Sequence, residues 1–149
     1  MRHRHRLAML AAAVGVLVAG SAAVTTSAQS ATSIISVGNG TASCPAGYVC
    51  LWEHADYTGR GIGFYNDYSN YYSLSAPFNW LPGRASSLYN HGNSYDVRFF
   101  WYTNYGGRSF VLCRGDAVSQ LPRDDELPIG SPRTWNDEIA SHDWQYGQC

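Results

Sequence analysis

The sequence predicts an all-β protein built from two copies of one small unit. A segment around Trp52 recurs 48 residues later around Phe100, in the order aromatic, tyrosine, glycine, arginine. A repeat of this length usually means that one supersecondary unit is used twice. Neither copy has apolar residues at helical spacing, and both are rich in aromatic and turn residues, which is typical of short β-strands.

The N-terminal residues have the pattern of a secretory signal. Arginines at positions 2, 4 and 6 precede an apolar run over 7–20, and small residues follow at 26–28, with Ala31 as an alternative cleavage point. The run is short for a membrane span. We therefore expect residues 1–28 to be a signal peptide and the mature chain to be secreted and extracellular, without a membrane partner. Residues 29–43 are small and polar and predict a flexible leader, at best one edge strand.

Residues 44–149 are enough for one domain with one core. The formal net charge of the whole chain is −1 at pH 7, and the sequence contains no lysine. The remaining arginines are scattered among acids, so the basic stripe that nucleic-acid binding requires is missing. We expect no nucleic-acid partner and a monomer.

Short strands and turns alternate along this domain. Strands are predicted at 48–53, 61–65, 85–89, 95–101, 109–113 and 139–144. The first is apolar and short, which suits a strand buried on both faces. The stretches 66–79 and 114–132 are interpreted as loops, the second because it carries three prolines. This order predicts two Greek-key units of about four strands each, packed as a sandwich.

The four cysteines predict two disulfides, because an exported chain favours disulfides over free thiols. Three pairings are open in principle. Cys44 and Cys50 bracket a turn-bearing segment and can close a short loop, which leaves Cys113 to pair with Cys149. A zinc site is the alternative, but the spacing matches no Cys/His ligand pattern.

The repeated order of residues resembles the signature of the βγ-crystallin Greek key. In that family a later serine in each unit packs over the folded hairpin, and serines lie at the expected positions here. The resemblance implies that the glycine takes a conformation that a β-carbon would oppose, and that the serine hydroxyl bonds a backbone group. The signature residues are Trp52, Tyr57, Gly59 and Ser87 in the first unit and Phe100, Tyr105, Gly107 and Ser141 in the second.

The opening of the domain is more specific. Residues 44–53, CPAGYVCLWE, are similar to the start of a secreted actinobacterial peptidase inhibitor family with this fold. The resemblance extends to about Trp144. It implies a non-catalytic inhibitor of a secreted peptidase, in particular a metallopeptidase, acting by a stoichiometric complex in which a loop enters the active-site cleft.

Catalytic patterns are missing from the sequence. There is no nucleophile elbow, zinc-peptidase motif or phosphate loop. His54, His91 and His142 lie beside turn residues without a recognisable nucleophile, and the acids at 124–126 are consecutive residues of a proline-rich loop, where carboxylates are usually solvated. We therefore expect no enzymatic activity.

Calcium is the one cofactor that the resemblance suggests. βγ-crystallin units that bind calcium carry two Asn/Asp residues, two further residues and two hydroxyl residues. The second unit has Asn136 and Asp137 but Ala140, and the first has Ser86 and Ser87 but proline and glycine at 82–83. The resemblance implies at most one weak site, because calcium takes six to eight oxygen ligands. Its ligands would be Ser86, the Arg84 carbonyl, Asp137 and the Asn136 carbonyl. Alternatively, Asn136 and Asp137 only cap a turn.

An inhibitor also needs an exposed loop that a peptidase accepts. The candidates are 114–132, tethered by Cys113 and including Arg114 and Asp116, and the tyrosine-rich stretch 65–80. Inhibitors of the resembled family close their loop with a second short disulfide, whereas here no cysteine follows closely behind Cys113.

A binding module is the rival class of function. Six aromatic residues lie close together, and aromatic rings with polar tips suit carbohydrate or protein surfaces. They could equally fill the gap between two small sheets. The alternatives to an inhibitor are therefore a carbohydrate or cell-surface binding module, or a crystallin-like toxin. The six residues are Tyr65, Tyr68, Tyr71, Tyr72, Phe78 and Trp80.

Overall fold

Eight β-strands form two antiparallel sheets in the computed structural model, which describes residues 33–122 and 134–149. No α-helix occurs in these two ranges. The all-β prediction is confirmed. The strands are β1 (Ile34–Val37), β2 (Tyr48–His54), β3 (Thr58–Phe64), β4 (Ser87–His91), β5 (Asp96–Tyr102), β6 (Gly106–Leu112), β7 (Ala117–Val118) and β8 (Ser141–Gln145).

The first sheet has the order β1-β3-β2-β4-β7 and the second the order β6-β5-β8. The two repeated segments form equivalent hairpins, β2–β3 in the first sheet and β5–β6 in the second. Each hairpin has an irregularity near its turn, between Trp52 and His54 in the first and between Phe100 and Tyr102 in the second. Such bulges bend a hairpin and increase its twist.

In each unit, the segment that follows the hairpin pairs with the sheet of the other unit. β7 follows the second hairpin along the chain, yet it pairs with β4, with Leu88 opposite Val118. Conversely, Tyr68 from the segment after β3 forms a bridge to His142 in β8. The segment that contains β7 was predicted to be a loop because it carries prolines. A strand of only two residues leaves no recognisable pattern in the sequence.

The fold begins earlier in the chain than Cys44. β1 pairs with β3 at the edge of the first sheet, with Ile35 opposite Gly63. The Trp52 indole Nε1 also donates to the Gly38 carbonyl at 2.7 Å. Part of the segment that was predicted to be a flexible leader is therefore ordered. It forms the single edge strand that was the alternative prediction. The predicted signal peptide over 1–28 lies outside the described residues.

The main core lies between the two sheets. It joins Val49, Leu51, Ile62 and Phe64 of the first sheet to side chains of the second sheet and of the connecting segments. The outer face of β2 is buried as well, because Cys44 and β1 cover Tyr48, Cys50 and Trp52. β2 is therefore buried on both faces, as its short apolar sequence predicted.

Both predicted disulfides are present. Cys44 bonds to Cys50, and Cys113 bonds to Cys149. Asp96 holds the end of the chain beside the second bond, because its carboxylate accepts the backbone N–H groups of Arg114, Gln148 and Cys149 at 2.9–3.1 Å. These hydrogen bonds, the one from Arg114 first, lower the pKa of Asp96 below its ordinary value.

Candidate functional site

The hairpin turns have the backbone conformation that the signature implied. Gly59 and Gly107 have φ angles of 81° and 79°, in the region that opposes a β-carbon. Added β-carbons would lie 2.7 Å from the rings of His54 and Tyr102, respectively. The aromatic pairs Trp52–Tyr57 and Phe100–Tyr105 have ring centroids 5.4 and 5.6 Å apart and cover the two turns.

Ser87 and Ser141 make the same two hydrogen bonds in their respective units. The Ser87 hydroxyl donates to the His54 carbonyl at 2.7 Å and accepts the Tyr57 N–H at 3.1 Å. The Ser141 hydroxyl donates to the Tyr102 carbonyl at 2.7 Å and accepts the Tyr105 N–H at 3.2 Å. Both serines are fully buried. Each hydroxyl therefore satisfies two backbone groups that the bent hairpin leaves without ladder partners.

The arginine that ends each repeat crosses its hairpin to an equivalent neighbour of different chemistry. Arg60 forms two hydrogen bonds with the Glu53 carboxylate, at 2.6 and 2.8 Å. Arg108 instead lies over the Trp101 ring, with its guanidinium carbon 3.6 Å from the ring centroid. The repeat thus keeps the arginine while its partner changes from a carboxylate to an aromatic face.

A polar cleft of about 310 Å³ lies beside the first hairpin, and we call it the carboxylate cleft. It brings together three of the four residues proposed for calcium. The fourth, Asn136, donates through Nδ2 to the Asp137 carboxylate at 2.6 Å. The lining residues are Glu53, His54, Gly83, Arg84, Ser86 and Asp137.

Cations of the protein already surround Glu53. Arg60 lies 2.6 Å from its carboxylate and Arg84 lies 3.5 Å from it. The hydrogen bond from Arg60 is the main reason why the pKa of Glu53 falls to about 2. Glu53 was not among the residues proposed for calcium, because its place in the cleft depends on the bulge that ends β2. A metal ion would have to share this carboxylate with two guanidinium groups.

The equivalent cleft of the second unit, of about 360 Å³, is lined by Thr103 and Glu138 but lacks the equivalents of Glu53 and Ser86. Its lining has Trp101 and Tyr102 where the first has Glu53 and His54, and Ala140 where the first has Ser86. Among the described residues, the one group of three side chains with metal-ligand chemistry is Asp96, Cys113 and Cys149. The two cysteines are bonded to each other, so their thiolates are not available to an ion.

The segment 114–118 consists of a tight turn followed by the two residues of β7, and it is mostly exposed. Its backbone is fixed to the body, because Gly115 N–H donates to the Asn90 carbonyl at 2.9 Å and Asn90 N–H donates to the Asp116 carbonyl at 3.0 Å. The turn itself closes with a hydrogen bond from Asp116 N–H to the Cys113 carbonyl at 3.0 Å. Beyond it, Leu121 is buried. The rest of the predicted loop, 123–132, lies outside the described residues.

The three histidines of the described residues do not form a catalytic group. His142 is fully buried, and its Nδ1 lies 2.7 Å from the Tyr71 hydroxyl. Burial lowers the pKa of His142 to about 3, so it stays neutral at physiological pH. His54 lines the carboxylate cleft and His91 Nδ1 lies 2.7 Å from the Cys44 carbonyl. The acids at 124–126 lie outside the described residues.

The aromatic cluster at 65–80 is divided between core and surface. Tyr71 is fully buried and Trp80 is 8% exposed, whereas Tyr65 and Tyr72 are 42% and 67% exposed. Most of the cluster therefore fills the space beside the sheets. A cleft containing Tyr65 also involves Tyr95 and Trp144. No sequence pattern associates these residues with the cluster, because they are far from it in the chain.

Solved βγ-crystallin structures have a similar fold. One, titled "Evolution of the eye lens beta-gamma-crystallin domain fold", is 21% identical with a TM-score of 0.58, and the match covers 76% of this chain and 98% of that one. Spherulin 3a from Physarum polycephalum is 22% identical with a TM-score of 0.51, over 77% of this chain and 99% of that one. The protein therefore has the βγ-crystallin fold, as its repeated signature predicted.

The family follows from a second comparison. The model of peptidase inhibitor family I36 matches residues 38–112, which is half of the chain. The chain belongs to this family, so it is a peptidase inhibitor and not an enzyme. A search of curated proteins found no match. No helix long and apolar enough to cross a membrane was found in the described part of the chain.

Proposed function

We propose that the chain is secreted and inhibits a metallopeptidase by placing an exposed loop in the active-site cleft, in a stoichiometric complex. The observation that carries this proposal is the turn at 114–118, which is exposed in its side chains and fixed in its backbone. A loop that is ordered before binding loses less entropy when the complex forms. The Cys113–Cys149 disulfide anchors the start of the turn, in place of the second short disulfide of the resembled inhibitors.

The chemistry of the turn supports a metal-dependent target. Asp116 presents an exposed carboxylate near the tip, and carboxylate oxygens are ligands of catalytic zinc. Arg114 lies beside it and is held by a hydrogen bond from its guanidinium to the Asn93 carbonyl at 3.1 Å. In the proposed complex Asp116 approaches the metal of the peptidase and Arg114 contacts the rim of its cleft. The predicted loop continues to residue 132, and residues 123–132 lie outside the described part of the chain.

A panel of thermolysin-like metallopeptidases and subtilisin-like serine peptidases tests this proposal. We expect one-to-one inhibition of a metallopeptidase, weakened at least about tenfold by Arg114→Ala or Asp116→Asn. Both variants should keep the melting temperature within a degree or two, because surface substitutions usually change stability by less than about 0.5 kcal/mol. Glu138→Gln, an exposed acid beside the other cleft, is the matched control. Full activity of every peptidase at micromolar inhibitor would contradict the proposal, and inhibition of serine peptidases alone would refute its metallopeptidase part.

Secretion is supported by the signal pattern over 1–28 and by two disulfides, which persist in oxidising compartments. We expect the exported protein to be a monomer that begins at Gln29 or a few residues later. N-terminal sequencing and light scattering of protein from the culture medium measure both properties. Protein that is retained in the cytosol with residues 1–28 intact would contradict this part of the proposal.

A weak calcium site is a second proposal, carried by the carboxylate cleft. Asp137, Ser86 and the Arg84 carbonyl are the expected ligands, and the two guanidinium groups beside Glu53 oppose a cation by like-charge repulsion. Titration calorimetry should detect one weak site or no heat, and Asp137→Ala should remove any heat, whereas Glu138→Ala should not. Two tight and equivalent sites would show that Gly83 and Ala140, which lack the side-chain oxygens of the calcium pattern, do not weaken calcium binding.

A further inference from the structure

A third cleft lies at the opposite end of β2 from the carboxylate cleft, and we call it the aromatic cleft. It has a volume of about 280 Å³. Segments from both units meet there, because Tyr65 and Asn66 follow β3, Trp144 belongs to β8, and residues 92–95 connect the units. Three residues with aromatic rings and two asparagines line this space. These residues are Tyr65, Tyr95, Trp144, Asn66 and Asn93.

Two glycines complete the wall of the cleft and leave room for its rings. A β-carbon on Gly92 would lie 2.6 Å from the Trp144 ring and 3.0 Å from the Tyr95 carbonyl. A β-carbon on Gly47 would lie 3.1 Å from the Tyr65 ring. Larger residues at these two positions would therefore push the aromatic rings out of their present places.

Neighbouring groups hold the aromatic rings. Tyr65 packs against Tyr48 with ring centroids 5.4 Å apart, and Tyr95 packs against Tyr146 at 6.0 Å. The Trp144 backbone N–H donates to the Asp67 carboxylate at 2.8 Å, and its ring packs against the main core. Tyr65 and Tyr95 are nevertheless 42% and 49% exposed. Their surfaces are therefore both ordered and open, which reduces the entropy lost when a ligand binds.

Two of the polar residues of the cleft, Asn66 and Asn93, are exposed to solvent. The Trp144 indole Nε1 is buried without a hydrogen-bond partner among the described residues. Each amide offers two donors and an acceptor with two lone pairs. None of the residues that line the cleft is charged. The lining of the cleft thus combines apolar ring faces with neutral donors and acceptors.

We propose that the aromatic cleft binds a neutral saccharide. A pyranose ring presents C–H groups on its faces and hydroxyls at its edge, which matches aromatic faces flanked by amides. The volume lies just below the usual range for small-molecule sites, about 300–1,000 Å³, and suits one end or one ring of a sugar chain. The site is separate from the carboxylate cleft. It lies next to the turn at 114–118, because the Arg114 guanidinium donates to the Asn93 carbonyl.

An NMR titration tests the proposal with chitotetraose, cellotetraose and xylotetraose as probes. The chain has five tryptophans, so five indole N–H signals are expected, and Trp144→Phe assigns the one from the cleft. We expect saturable shifts of the Trp144 signal with at least one of the three sugars. Tyr95→Ala and Asn93→Ala should each weaken binding by about tenfold. Tyr72→Ala removes a tyrosine that is 67% exposed elsewhere and should leave the affinity unchanged.

The three sugars distinguish N-acetylglucosamine, glucose and xylose polymers as the source of the saccharide. The proposal is overturned if none of them shifts the Trp144 signal, or if the shifts persist in both cleft variants while the variants remain folded. It is also overturned if a proline-rich peptide saturates the cleft and the sugars do not. Loss of peptidase inhibition in Tyr95→Ala, without any sugar binding by the parent protein, would assign the cleft to the peptidase interface.

Discussion

The hydroxyl groups of Ser87 and Ser141 each join the two ends of one hairpin turn. Ser87→Ala leaves the His54 carbonyl and the Tyr57 N–H without their partner in a buried position. We expect either serine-to-alanine change to lower the free energy of unfolding by about 1–3 kcal/mol, the cost of unsatisfied buried groups. Urea denaturation measures the loss. Ser94→Ala, at an exposed position, is the control and should change stability by less than about 0.5 kcal/mol.

His142 links the stability of the fold to pH. Burial raises the pKa of the Tyr71 hydroxyl, so this group stays protonated and donates to His142 Nδ1. The other ring nitrogen, Nε2, then carries the proton and donates to the Asn66 carbonyl at 3.1 Å. The folded pKa of His142 is about 3, against an ordinary value of 6.5. Between these values the unfolded chain binds a proton that the folded chain does not, so stability falls as pH falls.

We expect this histidine to contribute a slope approaching about 1.4 kcal/mol per pH unit to the free energy of unfolding between pH 6 and 4.5. Urea denaturation over this range measures the slope, which His142→Phe should reduce. The imidazole NMR signals of folded His142 should also remain constant above about pH 4.5. A titration midpoint near 6.5 in the folded protein would show that the ring is not held neutral by burial.

Among the elements, those with a local sequence pattern were predictable and those made by distant pairing were not. The two hairpins follow from fixed spacings around Gly59 and Gly107, where the turn conformation is decided within a few residues. β7 has two residues in a proline-containing segment and exists because Val118 meets Leu88 of the other unit. The carboxylate cleft was predicted in part, since the calcium pattern indicates Ser86 and Asp137. The aromatic cleft was not predicted, because no local pattern relates Tyr65, Tyr95 and Trp144.

The two disulfides should differ in their contribution to stability. The Cys113–Cys149 bond closes a loop with a sequence separation of 36 residues, whereas the Cys44–Cys50 bond has a separation of 6. The chain-entropy model gives about 4 kcal/mol for the long loop and about 2 kcal/mol for the short one. We expect the double serine variant of the long bond to be the less stable of the two in urea. If the variant without the short bond is the less stable one, the packing of Cys44 on the outer face of β2 contributes more to stability than the difference in chain entropy does.

For the whole molecule, the exchange of segments between the sheets predicts a single unfolding transition. β7 of the second unit pairs with β4, and Tyr68 of the first unit bridges to His142 in β8. His142 also packs against Phe64, with ring centroids 4.8 Å apart, so the core joins both units. Loss of either unit would expose backbone groups and apolar surface of the other. Neither unit should therefore be stable alone.

We expect thermal unfolding of the disulfide-bonded protein to be two-state, with equal calorimetric and van't Hoff enthalpies and coincident circular dichroism and fluorescence transitions. A fragment containing only residues 33–94 lacks β7, one of the two partners of β4, and His142, the partner of Tyr68, and it should show no cooperative transition. Val118→Pro removes a backbone N–H from β7 and should lower the midpoint without splitting the transition, because the core still joins the units. Two separate transitions, or a cooperatively folded fragment, would show that the units are independent despite their exchanged segments.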